Sequence, residues 1–219
     1  MTSVAGAAIV RAVRGKFITF EGGEGAGKTT QARLLAERLR ERGIDVVQTR
    51  EPGGSPGAEE IRAIAVSGDA ERWSARTETL LMYASRSDHL ERKILPALED
   101  GQWVVCDRFA DSSRAYQGAG GGAPESLIEA LDKHVVGDNQ PNLTVVFDIP
   151  VEVGLERAFG RGLFETRFES KGLEFHEKLR EGFLAVADRH PERCVVLNAT
   201  GEVEEVAERL WAVVEERLL

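Results

Sequence analysis

A chain of 219 residues, of which 42% are hydrophobic and 30% charged, is long enough for one sizeable core and has an ordinary globular composition. Its net charge of −9 argues against a protein that coats nucleic acid or an anionic membrane, because neutralising phosphates requires an excess of lysine and arginine. A small phosphorylated ligand held by a few local arginines is compatible with this charge.

The cysteines and the N-terminus bear on the compartment. Cys106 and Cys194 lie inside β-type runs, so we expect buried thiols in a reducing compartment rather than a disulfide scaffold or a metal site. Residues 1–15 are mildly apolar, but their charges follow the apolar part, which does not fit a secretory signal. We expect a flexible leader at 1–15, no membrane span, since no apolar run approaches ~20 residues, and a cytoplasmic location.

Apolar β-type runs and amphipathic helical patterns alternate along the chain. The predicted strands lie at 16–21, 44–49, 102–107, 143–149 and 193–199. The predicted helices lie at 29–43, about 57–67, 75–98, 124–135, 151–159, 171–189 and 202–218. This alternation predicts an α/β fold with a parallel sheet covered on both faces, in a single domain at 16–219. The glycine-rich patch at 118–122 predicts a mobile loop.

The stretch GGEGAGKT at 22–29 fits the pattern G-x-x-x-x-G-K-[ST] between a predicted strand and a predicted helix. Backbone N–H groups of such a loop cradle phosphate oxygens, and the helix N-terminus adds positive potential. Lys28 is expected to reach the β- and γ-phosphates of a nucleotide, and the Thr29 hydroxyl to ligate Mg²⁺. The alternative is a chance glycine-rich turn with an exposed lysine. The expected ATP-binding residues here are Gly22, Gly23, Glu24, Gly25, Ala26, Gly27, Lys28, Thr29 and Thr30.

Charged residues follow the second and third predicted strands, at the sheet edge where the glycine loop also lies. Arg50 could face the phosphate of a second substrate, or be solvated on a surface turn. Asp107 stands where a carboxylate can hold Mg²⁺, and Arg108 could reach an acceptor phosphate. Alternatively, these two charges pair with others and only stabilise the fold.

On the predicted helix at 75–98, Met82 and Arg86 are four residues apart and share one face. They could cover a nucleotide base and hydrogen-bond its edge. Alternatively, they are a core methionine and a surface arginine paired with Asp88 or Glu91, and the residues alone favour this second interpretation.

The segments FEGGEGAGKTT, TREPGG, LLMYASR, CDRF, AYQG and PNLTVVFDIPVEVGLERA occur in the order and spacing of the bacterial thymidylate kinases. The chain resembles this family from about residue 16 to 218. The resemblance implies a three-layer P-loop nucleoside monophosphate kinase fold, strand order 2-3-1-4-5, and a lid. It also implies the reaction ATP + dTMP ⇌ ADP + dTDP with Mg²⁺, in dTTP synthesis, and a homodimer packed through helices such as that at 75–98.

The resemblance assigns roles to individual positions. Glu24 matches the carboxylate that orients the sugar 3′-hydroxyl, and Tyr116 the aromatic residue that crowds the sugar C2′. Arg50 and Arg108 match the arginines that hold the dTMP phosphate, and Arg86 the one that hydrogen-bonds thymine. Ser112 and Ser113 lie in the base-binding segment. Many relatives carry Phe where Met82 stands, and close relatives often carry Arg where this chain has Gly121.

The resemblance also predicts a lid at about 157–170. Some thymidylate kinases place an arginine where this chain has Gly25, and the others supply that cation from the lid. Arg161 and Arg167 are therefore expected to act on the transferred phosphoryl group, although an exposed charged loop is the plain alternative. Arg157 is expected near adenine, or in a structural pair with Glu152 or Glu156.

Two rival functions stay open from the sequence. One is a P-loop kinase of another nucleotide or small acceptor, and the other is a nucleotide-dependent switch or binding module. A kinase must show acceptor-dependent ADP formation, whereas a switch hydrolyses slowly without acceptor stimulation.

Overall fold

The computed structural model describes residues 13–69, 71–160 and 171–219. Its sheet comprises the strands β1 Phe17–Glu21, β2 Val46–Arg50, β3 Trp103–Asp107, β4 Leu143–Asp148 and β5 Cys194–Asn198. All neighbouring strands are parallel, in the order β2-β3-β1-β4-β5. The predicted strands and strand order are therefore confirmed.

Helices connect the strands on both faces of the sheet. They are α1 Lys28–Glu41, α2 Pro56–Ala65, α3 Ala75–His89, α4 Leu95–Glu99, α5 Ala110–Ser113, α6 Glu125–Val135, α7 Val151–Phe159, α8 Leu173–Arg189 and α9 Val203–Leu218. A π-helical segment, Leu90–Ile94, joins α3 to α4 without a break, as the single predicted helix at 75–98 requires. No helix in the described ranges is both long enough and apolar enough to cross a bilayer.

The central strand β1 is buried throughout, because the apolar core covers both faces of the sheet. Ile18 and Phe20 pack against α1 and α9 on one face, whereas Phe17 packs with Leu98 of α4 and Phe109 on the other. The alternation of side chains along a strand sends these residues to opposite layers. The result is the predicted three-layer α/β architecture.

The glycine-rich patch was predicted as a loop, and this prediction was wrong for its first half. Arg114–Gly120 form a π-helical segment that continues α5 and packs against α8. A Cβ on Gly120 would lie 2.7 Å from the Phe175 ring, and a Cβ on Gly182 would lie 2.9 Å from the Ala119 Cβ. The small residues therefore permit close packing of two helical segments.

Three strand ends meet at the carboxyl edge of the sheet. Arg50 at the end of β2 is in register with Asp107 at the end of β3, which is in turn in register with Phe20 of β1. The loop after β1 leads into α1, so the glycine loop lies beside both charged strand ends. The predicted leader and the predicted lid are only partly described: residues 1–12 and 161–170 lie outside the described residues.

Candidate active site

The loop between β1 and α1 has the backbone that its glycines predict. Gly22, Gly25 and Gly27 have φ of 132°, 68° and 86°, which favour glycine. A Cβ on Gly25 would also lie 1.8 Å from the Gly154 carbonyl oxygen. The loop thus needs glycine for its own turn and for its close approach to α7.

Lys28 opens α1 at the end of this loop. Its side chain is buried, and its Nζ donates a hydrogen bond of 2.7 Å to the Gly23 carbonyl oxygen. Burial, and next the nearby charge of Arg108, lower the pKa of Lys28 to about 8. The alternative of an exposed lysine on a chance turn is therefore wrong.

The two predicted metal ligands are brought together from different elements. The Thr29 hydroxyl of α1 donates to Oδ2 of Asp107, at the end of β3, over 2.5 Å. Magnesium prefers oxygen ligands and is commonly bound by one or two protein groups together with substrate phosphates. The described residues contain no cluster of three or more His, Cys, Asp or Glu side chains suited to a metal. The donor set thus fits a magnesium ion that is shared with a nucleotide.

Arg108 is held against the glycine loop. Its guanidinium donates to the Gly22 carbonyl oxygen over 3.0 Å and to Glu24 Oε1 over 3.1 Å, and it lies 4.8 Å from the centroid of the Tyr116 ring. Its φ is 70°, and it is the one non-glycine residue with positive φ in the part of the chain that the structure describes. The backbone conformation and the contacts together direct this side chain towards the glycine loop.

Glu24 and Tyr116 form a pair beside Arg108. The Tyr116 hydroxyl donates to Glu24 Oε1 over 2.5 Å. Burial alone would raise the pKa of Glu24, but the charges of Arg108 and Lys28 and this hydrogen bond lower it to about 2. Burial raises the pKa of Tyr116 well above its ordinary value. The pair is therefore a carboxylate and a neutral phenol near neutral pH.

Arg86 is buried, so the interpretation of a surface arginine paired with Asp88 or Glu91 is wrong. Its Nε donates to Glu51 Oε2 over 2.8 Å, and its terminal nitrogens donate to the Phe109 carbonyl oxygen and the Ser113 hydroxyl. Burial alone would lower the pKa of Arg86, but the Glu51 carboxylate, together with Tyr83 and Asp132, outweighs it and raises that pKa. Arg86 is thus a fixed cation inside the protein.

These groups surround one cavity of about 390 Å³. The sequence-predicted residues that line it are Glu24, Gly25, Gly27, Lys28, Thr29, Arg50, Met82, Arg86, Asp107, Arg108, Ser112, Ser113 and Tyr116. The buried Met82 lies among apolar residues that include Tyr116 and Phe183. Arg50 is half exposed and pairs with Glu59, so it is neither buried nor simply solvated.

Other predicted residues lie outside this lining. Gly22 and Gly23 line a small neighbouring cleft, and Ala26 and Thr30 belong to the loop and the first turn of α1. Arg157 of α7 donates to the carbonyl oxygens of Ala199 and Gly201, in the loop after β5. Arg161 and Arg167 are outside the described residues.

Several residues of the cavity wall were not predicted from the sequence. Glu51 belongs to the segment TREPGG and Gln117 to AYQG, so their motifs could have indicated them. Arg62 of α2 gave no such signal. Its Nη1 donates to the Pro52 carbonyl oxygen over 2.7 Å, and burial, followed by the charge of Arg50, lowers its pKa. The wall therefore holds an additional cation close to Arg50.

A loop of the pattern G-x-x-x-x-G-K-[ST] at the carboxyl edge of a 2-3-1-4-5 parallel sheet, lining one cavity together with Arg86 and Arg108, defines a P-loop phosphotransferase of the nucleoside monophosphate kinase type. The family model described as thymidylate kinase matches residues 20–210. The chain belongs to the thymidylate kinase family, and it is accordingly a kinase.

Individual relatives agree with this assignment. The chain is 60% identical to the thymidylate kinase of Caulobacter vibrioides over 205 residues, which cover 94% of this chain and 98% of the relative. It is 53% identical to that of Rhodopseudomonas palustris over 214 residues, covering 96% and 93%. The crystal structure of thymidylate kinase from Ehrlichia chaffeensis matches with a TM-score of 0.75 and 34% identity, covering 92% of this chain and 99% of that one.

Proposed function

We propose that this chain transfers the γ-phosphoryl group of ATP to dTMP, giving ADP and dTDP. The observation that carries the proposal is one cavity whose lining includes Lys28 and Thr29 together with Arg50, Arg86 and Arg108. A phosphoryl donor and a phosphorylated acceptor both need cations within one site. We infer that the acceptor is dTMP because the relatives are named thymidylate kinases.

The chemistry that we assign to these residues is positioning and charge neutralisation, without a covalent enzyme intermediate. Lys28 neutralises the donor phosphates, and the backbone N–H groups of the loop bind them. Arg50 and Arg108 hold the acceptor phosphate. Because Arg108 also donates to the Gly22 carbonyl oxygen, it fixes the acceptor side at a defined distance from the donor loop.

The remaining residues of the wall are assigned to the acceptor nucleoside. Arg86 hydrogen-bonds the base edge, with Ser112 and Ser113 nearby, and Met82 packs against the base through its polarisable thioether. The Glu24–Tyr116 pair faces the sugar: Glu24 accepts a hydrogen bond from the 3′-hydroxyl, and the Tyr116 ring leaves little room for a ribose hydroxyl at C2′.

We assign Mg²⁺ to Thr29 and Asp107, whose oxygens converge beside the loop. When bound there, the ion neutralises charge on the donor phosphates. Arg161 and Arg167 stay proposed as lid cations for the transferred group. Arg157 stays proposed near adenine, which its contacts with the loop after β5 support.

We further propose a homodimer in the cytoplasm. The exposed apolar side chains of Ile64 on α2 and Leu80 on α3 lie on helices that pack together, and a helical dimer interface would cover them. The two cysteines are free and buried, as is usual in a reducing compartment.

An acceptor panel tests the proposal. The purified protein with Mg²⁺ and ATP is offered dTMP, dUMP, UMP, dCMP and AMP in separate reactions, and ADP formation is measured. We expect ADP formation to depend on an acceptor and to be fastest with dTMP. Lys28→Met lacks the loop cation and should be inactive, which excludes a contaminating kinase. Faster turnover with another acceptor would overturn dTMP as the substrate, and slow hydrolysis without acceptor stimulation would favour a switch.

A further inference from the structure

We infer that Glu21 is a positioning residue that holds Arg108 in its unusual backbone conformation, facing the acceptor phosphate. The inference rests on the proposed function, because it concerns how the acceptor side of that site is built. It adds a residue to which the sequence analysis assigned no role and which is not part of the cavity wall.

The first observation is the backbone of Arg108 itself. A φ of 70° is unfavourable for a residue with a Cβ and persists only where the surroundings impose it. Such residues concentrate at ligand-binding sites. Something next to Arg108 must therefore hold the chain in this turn.

The second observation is that β1 supplies the hydrogen bonds on both sides of the turn. The Arg108 N–H donates to the Phe20 carbonyl oxygen over 2.8 Å. The next N–H, that of Phe109, donates to Glu21 Oε1 over 2.8 Å, and the Ser112 hydroxyl donates to Glu21 Oε2 over 2.5 Å. Two consecutive residues of β1 thus pin the turn and the start of α5.

The third observation is that Glu21 cannot act on a substrate directly. Its side chain is fully buried, and it is absent from the wall of the cavity, whereas Arg108 and Ser112 are part of that wall. A buried carboxyl group next to an active site needs a role that offsets its desolvation. Glu21 accepts its hydrogen bonds from the turn that carries Arg108, so holding that turn is the role that we assign to it.

The charges around Glu21 define its working form. Asp111 and Arg108 face it, and Asp111 is itself bound by Arg193. Burial, and next the charge of Asp111, raise the pKa of Glu21 to about 8. A neutral carboxyl group can still accept from the Phe109 N–H and share a hydrogen with Ser112, so a glutamine should replace it well.

Steady-state kinetics of three variants test the inference. Glu21→Met fills a similar volume but leaves the Phe109 N–H without its acceptor. We expect its kcat to fall and its KM for dTMP to rise by roughly tenfold or more, while its KM for ATP stays within about twofold of the parent. Glu21→Gln should restore both parameters to near the parent values. Thr19→Val, on the same strand as Glu21, removes a buried hydrogen bond to Thr144 of β4; it is the matched control and should leave the ratio of the two KM values unchanged.

A double-mutant cycle shows whether Glu21 acts through Arg108. In an Arg108→Ala background, Glu21→Met should reduce kcat much less than in the parent, because the positioned side chain is already gone. Equal effects in both backgrounds, or equal losses in the Met and Gln variants, would overturn the inference. If Glu21→Met does not fold, Glu21→Asp withdraws the carboxyl group from the Phe109 N–H by one methylene and must give the same split between substrates.

The failure of this inference differs from that of the proposed function. If dTMP is not the acceptor, the parent enzyme itself is inactive with dTMP. If only the inference is wrong, the parent is active and the Glu21 variants change the parameters of both substrates alike.

Discussion

Around the cavity, charged side chains have a partner from a distant part of the chain. Glu24 of the loop binds Arg108 in a partly buried pair, and Glu51, which follows β2, binds Arg86 of α3 in a fully buried pair. Removing one partner of the Glu51–Arg86 pair leaves a buried charge uncompensated, which costs about 3–5 kcal/mol. These pairs therefore hold Arg86 and Arg108 in place without a bound ligand.

Glu51 has a second partner, His89, on the same helix α3 as Arg86. Its Oε1 lies 3.0 Å from His89 Nδ1, and His89 Nε2 lies 2.8 Å from the Thr49 hydroxyl. All three side chains are buried. The chain Thr49–His89–Glu51 thus fixes the carboxylate that orients the Arg86 guanidinium.

We predict that Glu51→Gln weakens dTMP binding selectively. Glutamine keeps an acceptor of similar shape but removes the charge that offsets buried Arg86, so the guanidinium loses its fixed orientation. We expect KM for dTMP to rise about tenfold with little change in KM for ATP, measured by steady-state kinetics. Glu91→Gln, which neutralises an exposed carboxylate of the adjoining π-helical segment, is the control and should behave like the parent. An equal change in both KM values would contradict the assigned role.

At the scale of elements, the packing of the π-helical segment 114–120 on α8 determines the shape of one part of the cavity wall, because that segment carries Tyr116 and Gln117. Gly182 lies at the contact, where a Cβ would be 2.9 Å from Ala119 Cβ and 3.3 Å from Ala115 Cα. A long side chain could rotate away from an added Cβ, but the Ala119 methyl group and the backbone at Ala115 cannot. The contact therefore depends on the absence of one methyl group.

We predict that Gly182→Ala destabilises the protein. Alanine gains about 1 kcal/mol of helix propensity over glycine, but overpacking costs about 1–3 kcal/mol, so we expect a net loss, measured by urea unfolding. Adding Ala119→Gly should recover most of the stability, since it removes the opposing methyl group. Gly160→Ala, at a helical end with 3.5 Å of clearance, should be neutral or slightly stabilising. A Gly182→Ala variant that is more stable than the parent would show that the two segments separate easily.

The elements differ in how much their sequence reveals. The strands and the glycine loop were predicted correctly because apolar runs and the G-x-x-x-x-G-K-[ST] spacing are local signals. The π-helical segment was missed because its glycines indicate a loop unless their packing partners on α8 are known. Glu21 was missed for a similar reason: its partner Phe109 is 88 residues away, and no spacing rule reports burial at that distance.

For the whole molecule, the net charge of −9 contrasts with the cations of the cavity wall. These are Lys28, Arg50, Arg62, Arg86 and Arg108. Cations gathered in a cleft attract anionic nucleotides, while the acidic remainder of the surface repels longer polyanions. The charge distribution thus favours small phosphorylated ligands.

The buried ionisable groups also determine how global stability changes with pH. The pKa of Glu21 is raised from 4.5 to about 8, that of Glu24 is lowered to about 2, and that of Lys28 is lowered from 10.5 to about 8. Between pH 4.5 and 8 the folded state binds the Glu21 proton more tightly than the unfolded state. Stability from this group is therefore present at the acid end and is lost as pH rises towards 8. The lowered pKa of Glu24 makes stability depend on pH below this window, between about pH 2 and 4.5. The lowered pKa of Lys28 does so above it, between about pH 8 and 10.5.

We predict that Glu21→Gln removes this pH dependence. Urea unfolding of the parent and the variant between pH 5.5 and 7.5 should show the variant gaining relative stability as pH rises, by up to about 1.4 kcal/mol per pH unit, the limit for one proton. The reason is that glutamine has no proton to lose, whereas Glu21 keeps its proton in the folded state over this pH range and releases it in the unfolded state. Glu37→Gln, an exposed carboxylate on α1, should give a curve parallel to the parent. Parallel curves for Glu21→Gln as well would mean that Glu21 is already ionised at pH 5.5, and that its hydrogen bonds to the Arg108 turn are those of a carboxylate.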